Sequence, residues 1–345
     1  MNDNITEDLD AHPEAQGLAL ADSVPIIDFQ MLADGLATDQ VVQEIAQACK
    51  DWGFFQIVNH SVPDDLIQKV MNRTRHFFDL PVAVKESVLR SKDNPWGYYN
   101  NELTKNKRDK KEVFDFTRCG VDDIYSAENR WLADEREFKS VMQQYYAACS
   151  SLSIQVLQAF CRGLNLPANF LHKDFEDNHT GFVRLNYYPI DDPMTGSKRK
   201  PISAAGYGIH HHTDAGALTI LLQDSIGGLQ VHKDGYWYDV QPTEGSFVVN
   251  IGDMMQVWSN DTYKAAIHRV QAMTSSKRYS IPFFLNPAAR AQISPLPTVI
   301  TDAQPKRYSP IGWAEYRGKR SEGDYADYGT EVQISQYSLA LAEQS

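Results

Sequence analysis

The sequence predicts an α+β chain, a helix-rich first half followed by a mainly β second half built as a double-sheet jelly roll or barrel. Three observations carry this. Apolar residues recur at helical spacing between residues 38 and 163, and from Gly181 the period drops to two. Eight or so short β-branched and aromatic runs then follow one another, separated by turn residues.

In order, "VPIIDF" (24–29) reads as a short strand, and "TDQVVQEIAQACKDWG" places Val41, Ile45, Ala48, Cys49 and Trp52 on one helical face. Thr38 or Asp39 is the expected N-cap and Gly53 the terminator. "FFQIVNH" (54–60) returns to strand pattern. Pro63 opens a helix to about Leu80, with Asp64 and Asp65 in the first turn, where the helix dipole favours acids. Residues 127–163 carry Phe138, Val141, Tyr145, Leu152, Val156 and Phe160 near helical spacing. The strand-like runs are "GFVRLNYYP", "ALTILLQ", "GLQVH", "GYWYDV", "SFVVNIG", "MMQVWS", "AIHRVQ" and "RYSIPFFL", with Asp234-Gly235 as a hairpin signal. "YSPIGWAEY" (308–316) turns helical again, with Ser309 as N-cap and Pro310 at the first helical position.

At 345 residues the chain can bury a substantial core, and its formal charge of −12 argues against a nucleic-acid partner. The basic runs "KNKRDKK" (105–111) and "SKRK" (197–200) read as solvated faces. Cys49, Cys119, Cys149 and Cys161 are scattered without a C-x-x-C pair, the pattern of reduced buried thiols. The first 22 residues lack a signal peptide's basic start and apolar centre, and no apolar run approaches the roughly 18 residues of a membrane helix. A soluble, cytoplasmic protein with no membrane partner is expected, with a monomer as a plausible state and residues 1–22 as a disordered acidic tail.

"GIHHHTDAGALTILLQD" (208–224) poses the question of a metal. His-x-Asp/Glu occurs four times, at His12/Glu14, His172/Asp174, His212/Asp214 and His232/Asp234, so the pattern alone decides nothing. Only His212/Asp214 opens a strand-rich block. Strand parity puts His210, His212 and Asp214 on one side and His211 on the other. A third ligand must come from another strand, and "YKAAIHRV" offers His268, which by itself would read as a core histidine. Two histidines and a carboxylate would form a facial triad with open positions for oxygen and a cosubstrate on ferrous iron. In "RYSIPFFLNP", Arg278 and Ser280 share a face, and a buried arginine in an apolar strand needs an anionic partner.

Together, "VPIIDF", "DWGFFQIVNHSVP", "KEVFDF", "RLNYYP", "HTDAGALTILLQDSIGGLQV", "NIGDMMQVWSND", "YKAAIHRV" and "RYSIPFFLNP" resemble, in that order, the isopenicillin N synthase-like family of non-haem iron(II) and 2-oxoglutarate-dependent dioxygenases. The likeness spans about residues 23–316. It implies a distorted double-stranded β-helix, a jelly roll, over 166–307, wrapped by a helix-rich region over 23–165, with a C-terminal helical segment and tail over 308–345. It implies His212, Asp214 and His268 as iron(II) ligands, Arg278 and Ser280 on the distal carboxylate of 2-oxoglutarate, and Asn186 and Tyr188 positioning that cosubstrate. Phe284 and Asn286 match positions bordering the substrate, while Tyr98 and Phe114 lie in the half that closes the pocket. The implied reaction consumes O2, releases succinate and CO2, and hydroxylates, desaturates or cyclises a small organic molecule.

Two features depart from the family pattern. The segment between "NYYP" and "HTD" is long, and His210 and His211 stand where smaller or varied residues are usual, which makes His210 a candidate substrate neighbour. Two alternatives stay open. One is an oxidase of the isopenicillin N synthase type, which uses no 2-oxoglutarate and of which Gln344 is a loose echo; the other is a non-catalytic jelly-roll binding protein.

Overall fold

The computed structural model describes residues 9, 12–14, 23–36, 38–104, 107–118, 124–175, 178–191, 207–325 and 332–339. The first half runs β1 (Ile26–Asp28), α1 (Gln30–Ala33), α2 (Asp39–Asp51), β2 (Phe54–Val58), α3 (Asp64–Asp79) and α4 (Val82–Glu86). Then come β3 (Gly97–Tyr99), β4 (Leu103–Thr104), β5 (Lys107–Arg108), β6 (Glu112–Thr117) and α5 (Arg136–Gly163). The second half supplies β7 (Phe182–Tyr188), β8 (Ile209–His212), β9 (Leu218–Gln223), β10 (Leu229–Lys233), β11 (Tyr236–Asp239) and β12 (Phe247–Ile251). It ends with α6 (Asp253–Trp258), β13 (His268–Val270), β14 (Arg278–Leu285), β15 (Gln292–Ile293), β16 (Ile311–Gly312) and α7 (Trp313–Tyr325).

Local chemistry explains the boundaries. The Thr38 side chain accepts from the Val41 amide and caps α2, whose Val41, Ile45, Ala48 and Cys49 are buried. Gly53 ends the turn at φ +63°, and a Cβ there would sit 2.1 Å from the Lys264 carbonyl oxygen, so both conformation and space demand glycine. Asp234 and Gly235 both hold positive φ and join β10 to β11 as a two-residue hairpin.

Two sheets face each other. The larger has the order β1-β2-β12-β9-β14-β7-β6-β3, and the smaller β11-β10-β13-β8. This is the jelly roll the sequence predicts, and the first half does more than wrap it, since β1, β2, β3 and β6 extend its larger sheet. The main apolar core runs from Ile27 through α5 to Tyr316, so the helices and the larger sheet share one interior, while Phe54, Tyr188, Leu229, Val231 and Val270 belong to a second cluster.

Three expectations need correction. "MMQVWS" is helix α6: Met254, Met255, Val257 and Trp258 are all buried, and so short a mostly apolar run carries no period to separate strand from helix. Ser309 and Pro310 do not start the last helix: Ile311–Gly312 first pairs with Gln292–Ile293, and α7 begins at Trp313. The long C-terminal helix of the first half starts at Arg136, not near 127. In the stretch read as a disordered tail, Leu9 and Glu14 hold contacts: the Trp237 indole donates to the Leu9 carbonyl at 2.8 Å, and Glu14 pairs with Arg269 at 2.7 Å. A buried arginine and an indole N–H that need acceptors find them in these two residues. The long segment before "HTD", the run 197–200, Cys119 and Gln344 fall largely or wholly outside the described residues.

Candidate metal centre and cavity

The metal-ligand candidates come together between the two sheets. β13 pairs antiparallel with β8 so that His268 lies directly across from His212. Asp214 lies just beyond the end of β8, in a turn, not on the strand as parity suggested. That turn is fixed from below: Asp253 N donates to the Asp214 carbonyl at 2.7 Å, Gly252 N to Ala217 O at 2.9 Å and Met254 N to Gly216 O at 2.9 Å. Asp214 Oδ1 then stands 3.7 Å from both His212 Nε2 and His268 Nε2. The three side chains offer one ligand atom each within 4.8 Å of one another, a spacing that could hold one metal ion.

The remaining atoms of the cluster are committed elsewhere. His212 Nδ1 bonds to the His210 carbonyl at 2.8 Å and His268 Nδ1 to the Ala266 carbonyl at 3.1 Å, so each donates through Nδ1 and turns a lone pair on Nε2 inward. Asp214 Oδ2 accepts from Thr219 Oγ1 at 2.5 Å and Asn250 Nδ2 at 2.8 Å. Burial, then the neighbouring His268, push the His212 imidazole well below its ordinary value and keep it neutral. Burial pushes the Asp214 carboxyl up, but His268, His212 and the two donors outweigh it and hold the carboxylate below its usual range. A neutral His212 imidazole and an ionised Asp214 carboxylate are the protonation states in which these groups bind a divalent cation.

These residues line a cavity of about 140 Å³ that also contains Asn186, Tyr188, Arg278, Ser280, Phe284 and Asn286. Arg278 is fully buried. Its Nη2 donates to Gln223 Oε1 at 3.2 Å and its guanidinium lies 4.9 Å from the Tyr188 ring centroid, while Nε and Nη1 have no partner among the described residues. β14 brackets it with Ser280, opposite Asn186 on β7, whose Nδ2 donates to Ser280 Oγ at 3.4 Å. A buried cation with two open donors fits a carboxylate supplied by a ligand.

Three sequence candidates lie elsewhere. Tyr98 packs in the main core and donates to Glu112 Oε2 at 2.6 Å beside Lys85, and Phe114 sits among Phe77, Trp131 and Phe138. Phe77 of α3 packs against both rings and Phe138 of α5 against Phe114, and neither residue is in the cavity lining. His210 is buried against Asp109 at 2.9 Å and is absent from the cavity lining. The run 105–111, read as a solvated face, instead buries Asp109 and Lys111. There Glu102, Asp109 and Asp115 pair with Arg90, Lys111 and Arg184. Glu102, Lys111 and Arg184 from this cluster, and Arg317 and Arg320 from α7, line the cavity and were missed by sequence reasoning. Alternation in "FVRLNYY" could have found Arg184, which shares a strand face with Asn186 and Tyr188.

Comparison with known proteins agrees with this geometry. Residues 179–287 match the 2OG-Fe(II) oxygenase superfamily, and residues 24–134 match the family described as non-haem dioxygenase in morphine synthesis N-terminal. The chain is 32% identical to jasmonate-induced oxygenase 2 of Arabidopsis thaliana over 91% of its length and 84% of that protein's. It is 33% identical to gibberellin 20 oxidase 1 of the same plant, over 85% and 77% of the two chains. Among solved structures, JOX2 in complex with 2OG, Fe and JA superposes with a TM-score of 0.78 at 29% identity, covering 95% of this chain and 93% of that one. A full-length Neurospora crassa protein in complex with alpha-KG and thymine gives 0.74 at 29% identity, covering 86% and 96%.

Proposed function

Because the chain belongs to the 2OG-Fe(II) oxygenase superfamily, we propose that His212, Asp214 and His268 hold its iron(II), and that Arg278 and Ser280 hold the distal carboxylate of 2-oxoglutarate. The protein is an iron(II)- and 2-oxoglutarate-dependent dioxygenase that oxidises a small organic molecule. Bound together, iron(II), 2-oxoglutarate and O2 supply an oxidative decarboxylation to succinate and CO2 whose oxidising power is spent on a substrate C–H bond.

The observation that carries the assignment is Arg278, buried to 0% exposure with Nε and Nη1 open and no carboxylate among the described residues against it. An acid of the ligand would complete its fork, and Ser280 Oγ adds a donor beside it. Tyr188 backs the guanidinium, and Asn186, whose Oδ1 has no partner among the described residues, stands ready to accept from the same ligand layer. Thr219 and Asn250 fix the Asp214 carboxylate, leaving Oδ1 toward the metal position. The two sheets enclose these groups, so Phe54, Leu221, Leu229 and Val270 keep water from the reacting centre.

Hydroxylation, desaturation and cyclisation of the bound molecule are all within reach of this arrangement. The described cysteines Cys49, Cys149 and Cys161 are buried and free, which supports a reducing, cytoplasmic setting, and the charge of −12 supports a small molecule over nucleic acid as partner. No helix among the described residues is long and apolar enough to cross a membrane.

The test is anaerobic protein given iron(II), then 2-oxoglutarate and oxygen with candidate substrates. Succinate formation with loss of activity in Arg278→Gln is the expected result. Substrate-dependent O2 consumption without 2-oxoglutarate would instead support an oxidase. Iron stoichiometry left unchanged in His212→Ala would remove the ligand assignment.

A further inference from the structure

Resting on the site reading above, we propose that Arg317 is the anchor for a carboxylate on the primary substrate, and that the substrate is a small monoanion with an apolar body.

The first argument is charge balance. Among the described charged side chains lining the cavity, the cations are Lys111, Arg184, Arg278, Arg317 and Arg320, against the carboxylates Glu102 and Asp214. Most of these are matched by partners behind the wall. Lys111 meets Glu102 and Asp109 at 3.1 and 3.5 Å, and Arg184 meets Glu102 and Asp115 at 2.7 and 2.8 Å. Arg320 is buried, donates to the Thr213 and Val332 carbonyls and opposes the charge of Asp253. Arg278 is taken by 2-oxoglutarate, and Asp214 by the metal. Arg317 is left: its contact is the Phe182 ring, 5.4 Å from its guanidinium carbon, and no carboxylate among the described residues meets it.

The second argument is direction. Trp313, Tyr316, Arg317 and Arg320 fall within an arc of about 100° on α7, the width of a core-facing stripe. Trp313 and Tyr316 are fully buried and pinned, the indole donating to Thr180 Oγ1 at 2.7 Å and the phenol to Asp253 Oδ2 at 2.8 Å. Glu315 and Lys319 take the opposite, solvent face and pair with each other. An arginine on the outer face would need no explanation; Arg317 is held on the inner one, in the cavity lining.

The third argument is what surrounds it. Phe182 and Phe284 stack with centroids 4.6 Å apart, and Pro282 and Leu103 continue an apolar wall in the same cavity. A guanidinium above a ring, beside an apolar wall and in the same cavity as His212, Asp214 and His268, is built to grip a planar carboxylate at one end and leave the other end for oxidation.

The experiment uses the full chain loaded anaerobically with iron(II) and 2-oxoglutarate. Calorimetry measures binding of cyclohexylacetate, 4-phenylbutanoate and 1-naphthylacetate, each against its primary amide. The 2-oxoglutarate affinity is measured in the same preparations. At least one acid is expected to bind about tenfold or more tightly than its amide, the range of a charge-assisted hydrogen bond. Arg317→Gln should bring that acid down to its amide's level, Arg317→Lys should keep part of the difference, and 2-oxoglutarate should bind both variants as it binds the parent. Equal binding of acid and amide, binding of none of the acids, or parent-like binding by Arg317→Gln would overturn the inference while leaving the site reading standing. Failure of 2-oxoglutarate to bind the parent would overturn the site reading, and this inference with it.

Discussion

The two carboxylate oxygens of Asp214 have divided roles. Oδ2 is saturated by Thr219 and Asn250, so only Oδ1 faces the paired imidazoles. Removing one donor lets the carboxylate rotate and lowers its fit to an ion. Asn250→Ala should weaken iron(II) binding by about 10–100-fold, measured by anaerobic titration, without unfolding the protein. At Arg278 the geometry of the fork matters as much as its charge. Arg278→Lys keeps the charge but loses the paired donors, and it should raise the 2-oxoglutarate KM by about tenfold or more while kcat changes little.

Among elements, the junction of β8, its following turn and α6 decides whether the triad forms. Three amides of the α6 start bond to the carbonyls of Asp214, Gly216 and Ala217. A Cβ on Gly252 would lie 2.2 Å from the Gly216 oxygen and 3.1 Å from the Asp214 oxygen, and both are backbone atoms with no side chain to yield. Gly252→Ala should therefore cost about 1–3 kcal/mol, as overpacking does, and should displace the Asp214 turn. Urea unfolding of the metal-free protein and iron titration of the folded variant check the two effects separately.

For the whole molecule, the buried ionic cluster ties the first half of the chain to the jelly roll. Arg90, Glu102, Lys111 and Asp115 come from the first half and Arg184 from β7, and Glu102 touches three of the cations. Burial pushes the Glu102 carboxyl up, but Arg184, Lys111 and Arg90 outweigh it and hold it well below the ordinary carboxylate range. Glu102→Gln leaves buried cations short of a partner and should cost about 3–5 kcal/mol near neutral pH. A depressed folded-state value contributes stability above the unfolded carboxylate's pKa of about 4.3, and loses it as pH falls through the folded value. The gap between parent and Glu102→Gln should accordingly be widest near pH 7 and narrow in acid below about pH 4, which denaturant titrations across that range would show. A gap independent of pH would remove Glu102 from the cluster's charge balance.

What was legible in the sequence was whatever rests on period and local chemistry. The drop from helical period to period two at Gly181 placed β7 and β9 to β14 but not β3 and β6 of the same sheet, and the caps and glycines placed α2, α3 and the Asp234-Gly235 hairpin. His212, Asp214, His268, Arg278 and Ser280 could be named because several short motifs, taken together and in order, resemble those of one family, and the structure brings all five residues to one cavity. Tyr98, Phe114 and His210 were misplaced because alternation says which residues share a face but not what covers that face, and α3, α5 and Asp109 cover theirs. Tertiary structure alone decided that Lys111 is buried in an ion cluster rather than solvated. It also decided that α7 turns Arg317 inward. Charge balance and facing depend on partners distant in the chain, and no local pattern of residues records where those partners will be.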